Sequence, residues 1–349
     1  MQKVLVVDFN GTSSVYTHYF SKGLESEKVE VKILGKKKNN FLNVFDNLSE
    51  YLGFDTGLKL LDYILNWFWL LFNYKKFDLI IIQWLQLLHY TSLEISLLNY
   101  LQNKIKLIYI LHNLYPHNNK DQRKKNRYER LYKTLKNIAV HTNIMKQKVL
   151  EINPNIQVFK INHGLFFEEF KTGNISTIEN KCLIIGYLTK YKGIEDALEV
   201  VKRLKEKNTI INLEIIGLAK PEYLKKLIKI IEDNHIENQV VILSKEVSTK
   251  YLINKINTAK MLWLPYKNIS QSGVTYTSIG LGKVFVGYDV GNFKSDFGDV
   301  GVAKIVEKGN IDQFCDSVCD FLENIEDYEK NIKNFSSQNL WDENKKVLN

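Results

Sequence analysis

Short apolar runs of five to nine residues recur along the chain, and most are followed by a stretch with helical spacing. KVLVVDF (3–9), VEVKIL (29–34), DLIIIQW (78–84), KLIYILH (106–112), NIAVHT (137–142) and IQVFKINHG (156–164) form a first series. Between them, YTHYFSKGL, residues 57–74 and HYTSLEISLLNYLQ space their apolar side chains as helices do. Strands that are apolar throughout are covered on both faces, and alternation with helices requires crossover connections. The pattern therefore predicts βαβ units and parallel, doubly wound sheets. Residues 163–181, HGLFFEEFKTGNISTIENK, lose the periodicity and read as a linker. The alternation then restarts with KCLIIGYL (181–188), helix 193–207, NLEIIGL (212–218), helix 221–234, QVVILS (239–244), helix 248–258, LWLPY (262–266) and KVFVGYD (283–289). A length of 349 residues suits two such domains. We expect an α/β chain of two Rossmann-like halves facing a central cleft: 1–165, 166–330, and a C-terminal helix within 331–349 packing back toward the first. Trp341 is the expected anchor of that last segment.

Composition narrows the classes. An apolar fraction of 45% with 12% aromatics excludes a disordered chain. Cys182, Cys315 and Cys319 form no CxxC pair and join no His/Cys cluster, which fits a reducing cytoplasm. MQKVLVVDFNG reads as a strand entering a glycine turn, not as a secretory signal. The most hydrophobic stretch, 59–74, is interrupted by Asp62 and Asn66 and falls short of the roughly 20 apolar residues that span a bilayer. The net charge is +9, and residues 120–136, KDQRKKNRYERLYKTLK, carry eight basic and two acidic side chains. A solvated helix face explains such a run, as does docking on an anionic membrane surface. Trp67, Trp69 and Tyr74 beside Lys75 and Lys76 favour the membrane over nucleic acid, which we do not expect as a partner. The expected location is cytoplasmic, peripheral on the inner face of the cell membrane.

Ligands of doubly wound sheets bind beyond the carboxyl ends of strands, so the loops there hold the candidate site residues. Gly11, in the loop Asn10–Ser14, lets backbone approach a ligand. His112 and Asn113 end the fourth apolar run, with His117 just beyond; His141 and His163 end the next two. Each also reads as an ordinary structural residue. Lys192 stands at a turn into a helix, where a lysine either reaches a pyrophosphate or is simply solvated. Lys245, Glu246 and Val247 form a strand-to-helix loop. In KNISQSGVTYT (267–277), Ser270 and Gln271 lead into Ser272, Gly273, Val274 and Thr275 at a helix start, whose N–H groups and dipole attract an anion.

SQSGV followed by GLGK and a strand ending in DVGN resembles the donor-binding segment of family 4 (group 1) glycosyltransferases with the GT-B fold, the kind used in bacterial surface polysaccharide synthesis. The HN strand end at 112–113 and the YKG turn at 191–193 occur in the matching order. The resemblance implies hexosyl transfer from a UDP- or GDP-sugar to a hydroxyl of a glycan or polyprenyl-linked acceptor, with the nucleotide sugar as substrate and no cofactor. It places His112 and Asn113 at the transferred sugar and Lys192, Ser272, Gly273, Val274, Thr275 and Gly11 at the diphosphate. Lys245, Glu246, Val247 and Thr277 fall at the base and ribose; His117, His141, His163, Ser270 and Gln271 fall near the sugar or acceptor. The family's arginine before the lysine is missing, with Tyr187 and Thr189 at the candidate positions and Lys190 as a substitute. Ile269 and Thr277 stand where the family carries two glutamates. No DxD pair suits a metal clamp, so metal-independent transfer is expected. A GT-B-type epimerase and a non-catalytic sugar-nucleotide-binding relative remain the alternatives.

Overall fold

The structure, a computed structural model, describes residues 1–37, 39–115, 121–173, 180–269 and 272–348. His117, Ser270 and Gln271 lie outside them. The chain divides into two compact units, Met1–Gly164 with Leu340–Asn349, and Leu165–Asn339.

In the first unit the elements run β1 (Gln2–Asp8), α1 (Ser14–Leu24), β2 (Val29–Gly35), α2 (Asn39–Leu42), β3 (Glu50–Leu52), α3 (Lys59–Asn73), β4 (Leu79–Ile82), α4 (Leu93–Gln102), β5 (Lys106–Leu111), α5 (Gln122–Thr134), β6 (Asn137–Val140), α6 (Asn143–Ile152) and β7 (Gln157–Lys160). The seven strands are parallel in the order β3-β2-β1-β4-β5-β6-β7. Val7 pairs with Leu34 on one side and Ile82 on the other. Helices cover both faces, so Val4–Val7 and Leu79–Ile82 are buried along their length. One core cluster joins Leu5, Val7, Ile80 and Ile82 to Trp67 of α3, Leu98 of α4, Tyr132 of α5 and Val149 of α6. Tyr16, Phe20 and Leu24 of α1 are buried too.

Helix α3 corrects one expectation. Its helical period turns Tyr63, Trp67 and Leu70 inward, followed by Tyr74, so Trp67 and Tyr74 are core residues and not interfacial ones. Among the described residues, no helix is long and apolar enough to cross a membrane.

The second unit continues with β8 (Lys181–Ile185), α7 (Ile194–Glu206), β9 (Asn212–Ile216), α8 (Pro221–Asp233), β10 (Val240–Leu243), α9 (Thr249–Asn257), β11 (Met261–Leu264), α10 (Gly273–Gly280), β12 (Val284–Tyr288), β13 (Ala303–Val306), α11 (Ile311–Glu323) and α12 (Ile325–Gln338). Its six parallel strands lie in the order β10-β9-β8-β11-β12-β13. Residues just after Gly164 pack on this unit, where Phe166 N–H donates to the Tyr276 carbonyl at 3.4 Å.

From Leu340 the chain belongs to the first unit. Trp341 is wedged there: its ring lies 5.3 Å from Tyr16 and 5.9 Å from Tyr19, edge-on and stacked respectively. It sits so close to Gly23 and Gly164 that a Cβ on either would collide with it. Asn344 then both accepts from the Asn162 N–H at 2.7 Å and donates to its carbonyl at 3.0 Å. Trp341→Ala should therefore destabilise the first unit by about 3 kcal/mol in denaturant unfolding, the usual cost of emptying a large buried aromatic site. A loss below about 1 kcal/mol would show that the wedge is dispensable.

Candidate functional site

Both sheets reverse their strand order once, between β1 and β4 and between β8 and β11. At such a point adjacent strands lead their loops to opposite sides and leave a crevice at the carboxyl ends. The candidate residues gather at these two crevices.

In the second unit, Gly186 follows β8 and the chain turns through Thr189–Lys192 into α7. Gly193 makes the turn possible: its φ is 68°, and a Cβ there would stand 1.9 Å from the Pro265 carbonyl oxygen beyond β11. The turn folds Lys192 inward, leaving it 5% exposed. Its Nζ donates to Tyr266 Oη at 2.6 Å and lies 3.4 Å from the Ile185 carbonyl oxygen. The ammonium also sits 4.1 Å from the Tyr266 ring centre, a cation–π distance. The Ser272 side chain lies near the same Tyr266 hydroxyl and favours its ionised form. Burial pulls the Lys192 pKa down to about 8, against a small opposing effect of Tyr191. A solvated lysine is thus ruled out.

Ser272 caps α10, accepting from the Val274 N–H at 3.3 Å. Thr275 turns both its N–H (3.1 Å) and its hydroxyl (2.6 Å) to the Ser272 carbonyl, which directs it into the helix. Exposed Gly273 is the residue that the helix start presents. Thr277 is half-buried one turn on. Lys245, Glu246 and Val247 follow β10, two strands from β8, about 10 Å away by sheet spacing. Lys190 is exposed, and Thr189 Oγ1 is buried with no hydrogen-bond partner among the described residues. Tyr266, the hub of this network, had no motif to mark it beyond closing LWLPY.

In the first unit, Asp8 at the end of β1 organises the following loop. Its carboxylate accepts from the Thr12 N–H (2.8 Å), the Ser13 N–H (3.0 Å) and the Thr17 hydroxyl (3.1 Å). Gly11, at φ 57°, donates its N–H to the Asp8 carbonyl. Thr17 Oγ1 in turn accepts from Gln83 Nε2 at 3.1 Å, and Gln83 Oε1 faces His112 Nε2 at 3.3 Å. This chain from Asp8 to His112 places the imidazole proton on Nε2 and leaves Nδ1 as an acceptor. The ring also stacks on Trp84, 4.5 Å between centres and 4° from parallel. Neither Asp8, Thr17 nor Gln83 belongs to a sequence motif.

Tyr16 gathers the histidines. Its hydroxyl lies 3.2 Å from His141 Nε2, and its ring meets His112, His141 and His163 edge-on at 4.7, 5.5 and 5.4 Å. Beside His112 opens a cavity of about 490 Å³, lined among others by Thr12, Trp84, Gln86, Tyr109, Asn113 and Tyr128. Its wall at 86–88 is pinned from behind by Glu94. That carboxylate takes hydrogen bonds from the Tyr63 hydroxyl, from Trp67 Nε1 at 3.3 Å and from the Leu88 N–H at 2.6 Å. Burial lifts its pKa to about 7 against those bonds. Among the described residues, no group of three or more His, Cys, Asp or Glu is arranged to hold a metal ion.

Burial lowers the pKa of His112 and His163 well below 6.5, and that of His141 to about 4. All three are neutral at pH 7, suited to hydrogen bonding and poor at taking a proton. Each ring binds a proton more readily unfolded than folded, so its contribution to stability is complete above pH 6.5 and is lost as pH falls below that, for His141 down to about 4. The melting temperature should fall across that window, and His141→Gln, which cannot titrate, should flatten the fall. An equally steep decline in the variant would remove His141 from this account.

The chain resembles known proteins in two ways. Residues 166–338 match the family model for glycosyl transferases group 1. No curated relative matches the sequence. Among solved structures, Anabaena HepE in complex with UDP superposes with a TM-score of 0.73 at 12% identity, over 100% of this chain and 98% of that one. Sucrose-phosphate synthase from Thermosynechococcus elongatus gives 0.70 at 12% identity, over 100% and 97%. WaaG, a glycosyltransferase involved in lipopolysaccharide biosynthesis, gives 0.64 at 12% identity, over 99% and 98%. Residues 166–338, the second unit but for one residue at either end, thus form a glycosyl transferases group 1 domain, and the two parallel-sheet units carry the GT-B fold.

Proposed function

We propose that the protein transfers a hexosyl group from a nucleoside-diphosphate sugar to a hydroxyl of a glycan or polyprenyl-linked glycan, without a metal ion, on the cytoplasmic face of an anionic membrane. One observation carries the reading. Lys192 is a buried cation at a switch point, held by a phenol, a carbonyl and a ring, with no carboxylate paired to it among the described residues. A buried charge without a counter-ion is costly, and a diphosphate supplies the missing one.

In this reading Lys192, the Ser272 hydroxyl and the start of α10 at Gly273 and Val274 hold the diphosphate. The base and ribose extend toward Lys245–Val247 and Thr277. Transfer breaks the bond from the sugar's anomeric carbon to the diphosphate and forms one to the acceptor oxygen, whose proton is released. Charge developing on the leaving diphosphate meets a fixed cation and a helix dipole, which do not need to reorganise. The cavity beside His112 and Asn113 takes the neutral sugar or acceptor, with His141 and His163 behind it. Aromatic walls at Trp84, Tyr109 and Tyr128 suit the apolar faces of sugar rings. Anabaena HepE has been solved with UDP and with UDP-glucose, which makes uridine donors the first to try.

A thermal-shift screen of nucleotide sugars should identify the donor, since a ligand of the folded state stabilises it by mass action. Release of free nucleoside diphosphate should then depend on added acceptor. Little release would favour the epimerase, and none with any donor would favour the non-catalytic relative. Lys192→Met should weaken nucleoside-diphosphate binding by about 3 kcal/mol, roughly a hundredfold, while leaving the melting temperature at pH 7 undiminished. Because Lys192 loses its proton as pH rises through about 8, wild-type affinity should fall above that value and the variant should show no such slope. Calorimetric titration with UDP at several pH values reads both; equal affinities would take Lys192 out of the site.

A further inference from the structure

Helix α3 wears its polarity inside out. The polar side chains in its middle, Asp62 and Asn66, are fully buried. Asp62 pairs with Lys36 and accepts from the Thr56 N–H and hydroxyl at 2.8 and 2.6 Å. Asn66 accepts from the Phe54 N–H at 2.7 Å and donates to its carbonyl at 3.1 Å. Tyr63, Trp67 and Leu70 fill the rest of that inward face. The outward face is apolar: Leu60 is 64% exposed, Ile64 39%, Phe68 54% and Phe72 82%. These positions recur every four residues and so line up as one ridge along the helix. A helix that is apolar all round belongs in an interior, and a ridge of this kind left in water marks a contact surface.

Charge identifies what covers it. The exposed charged side chains on α3 and the following turn are Lys59, Lys75 and Lys76, at the two ends of the ridge. Asp55 and Asp78 lie just beyond, the first paired with Lys36 and the second accepting the Lys3 N–H. Helices α4 and α5 pack in the same core cluster as α3 and continue its face of the sheet. On α4, Tyr100 is half exposed, its ring 6.4 Å from Tyr74 at the end of α3. On α5, Arg123, Lys124, Lys125, Arg127, Arg130 and Lys133 outnumber Glu129. A protein partner is ordinarily met by a rim of mixed polarity. An apolar ridge bordered by one sign of charge matches lipid tails beneath anionic headgroups.

We propose that α3 docks the first unit on an anionic lipid surface, lying in its plane with Leu60, Ile64, Phe68 and Phe72 in the acyl boundary and Lys59, Lys75 and Lys76 among the headgroups. Fifteen residues are too few to span a bilayer but ample to lie along one. The proposal deepens the reading of a lipid-linked acceptor and rests on it for its purpose, since docking brings the unit with the His112 cavity to the surface where such an acceptor is anchored.

The test uses the full chain without donor or acceptor, floated with vesicles of phosphatidylcholine containing about one-third phosphatidylglycerol. The wild type should float with these vesicles and bind pure phosphatidylcholine about tenfold less. Phe68→Ser/Phe72→Ser should lose about tenfold on the anionic vesicles, and Lys75→Glu/Lys76→Glu should reproduce the loss seen in high salt. Both pairs are exposed, so melting temperature and UDP affinity should stay at wild-type values. A wild type that never floats, or a phenylalanine variant that floats like the wild type, overturns the proposal. So does a wild-type dimer that the phenylalanine variant converts to monomer, because the ridge then belongs to a second copy. UDP binding through Lys192 is measured apart from flotation, so either reading can fail while the other stands.

Discussion

In a parallel sheet every strand delivers its chain to the same edge, and the strand order alone decides which loops stand over which neighbours. β1 and β4 are adjacent but lead to opposite sides, as do β8 and β11. The backbone cannot close the gap this leaves. Side chains bridge it instead, and in both units the bridge ties one strand end to the next. Asp8 at the end of β1 reaches through Thr17 to Gln83 after β4 and on to His112 after β5. Lys192, following β8, reaches Tyr266 after β11. Site geometry is thus inherited from strand order, not from the conformation of any single loop.

The two bridges differ in electrical character. Desolvation acts on both, yet it leaves the first unit with neutral imidazoles and the second with a depressed but still cationic lysine at pH 7. An uncharged crevice lined by rings is compatible with a sugar; a strained cation is compatible with phosphate. Lys192 also illustrates a general tension. Desolvating its charge works against the fold's stability, and the residue is kept where a well-packed methionine would sit more comfortably.

Much of this was legible in the sequence. The short apolar runs and the intervening helical spacing correspond to strands and helices of both sheets, because burial on both faces leaves a strong compositional mark. β3 and β13, each at an edge of its sheet, were not among the runs read as strands: EYL and AKIV are short and each carries a charged residue. The turn at Lys192 and the cap at Ser272 were recognisable from their wording, but the inward direction of Lys192 was not, since it depends on Gly193 closing against Pro265 from another strand. Asp8, Thr17, Gln83, Glu94 and Tyr266 have no local signature at all; partners distant in sequence create their roles. α3 misled for a related reason. Tryptophans beside lysines look interfacial in a linear reading, whereas Asp62 and Asn66, which look like the wet face, are fixed inward by Lys36, Thr56 and Phe54.

The first unit is completed by residues 340–348, on the far side of the second unit in the chain. During synthesis the seven-stranded sheet emerges first, and the second unit is then made in full before Trp341 can enter its slot between Gly23 and Gly164. Until that moment α1 presents Tyr16 and Tyr19 without their covering ring, and His163 lacks its neighbour. Translation order therefore sets assembly order: the histidine cluster acquires its final packing last, after the second unit has had the time to fold.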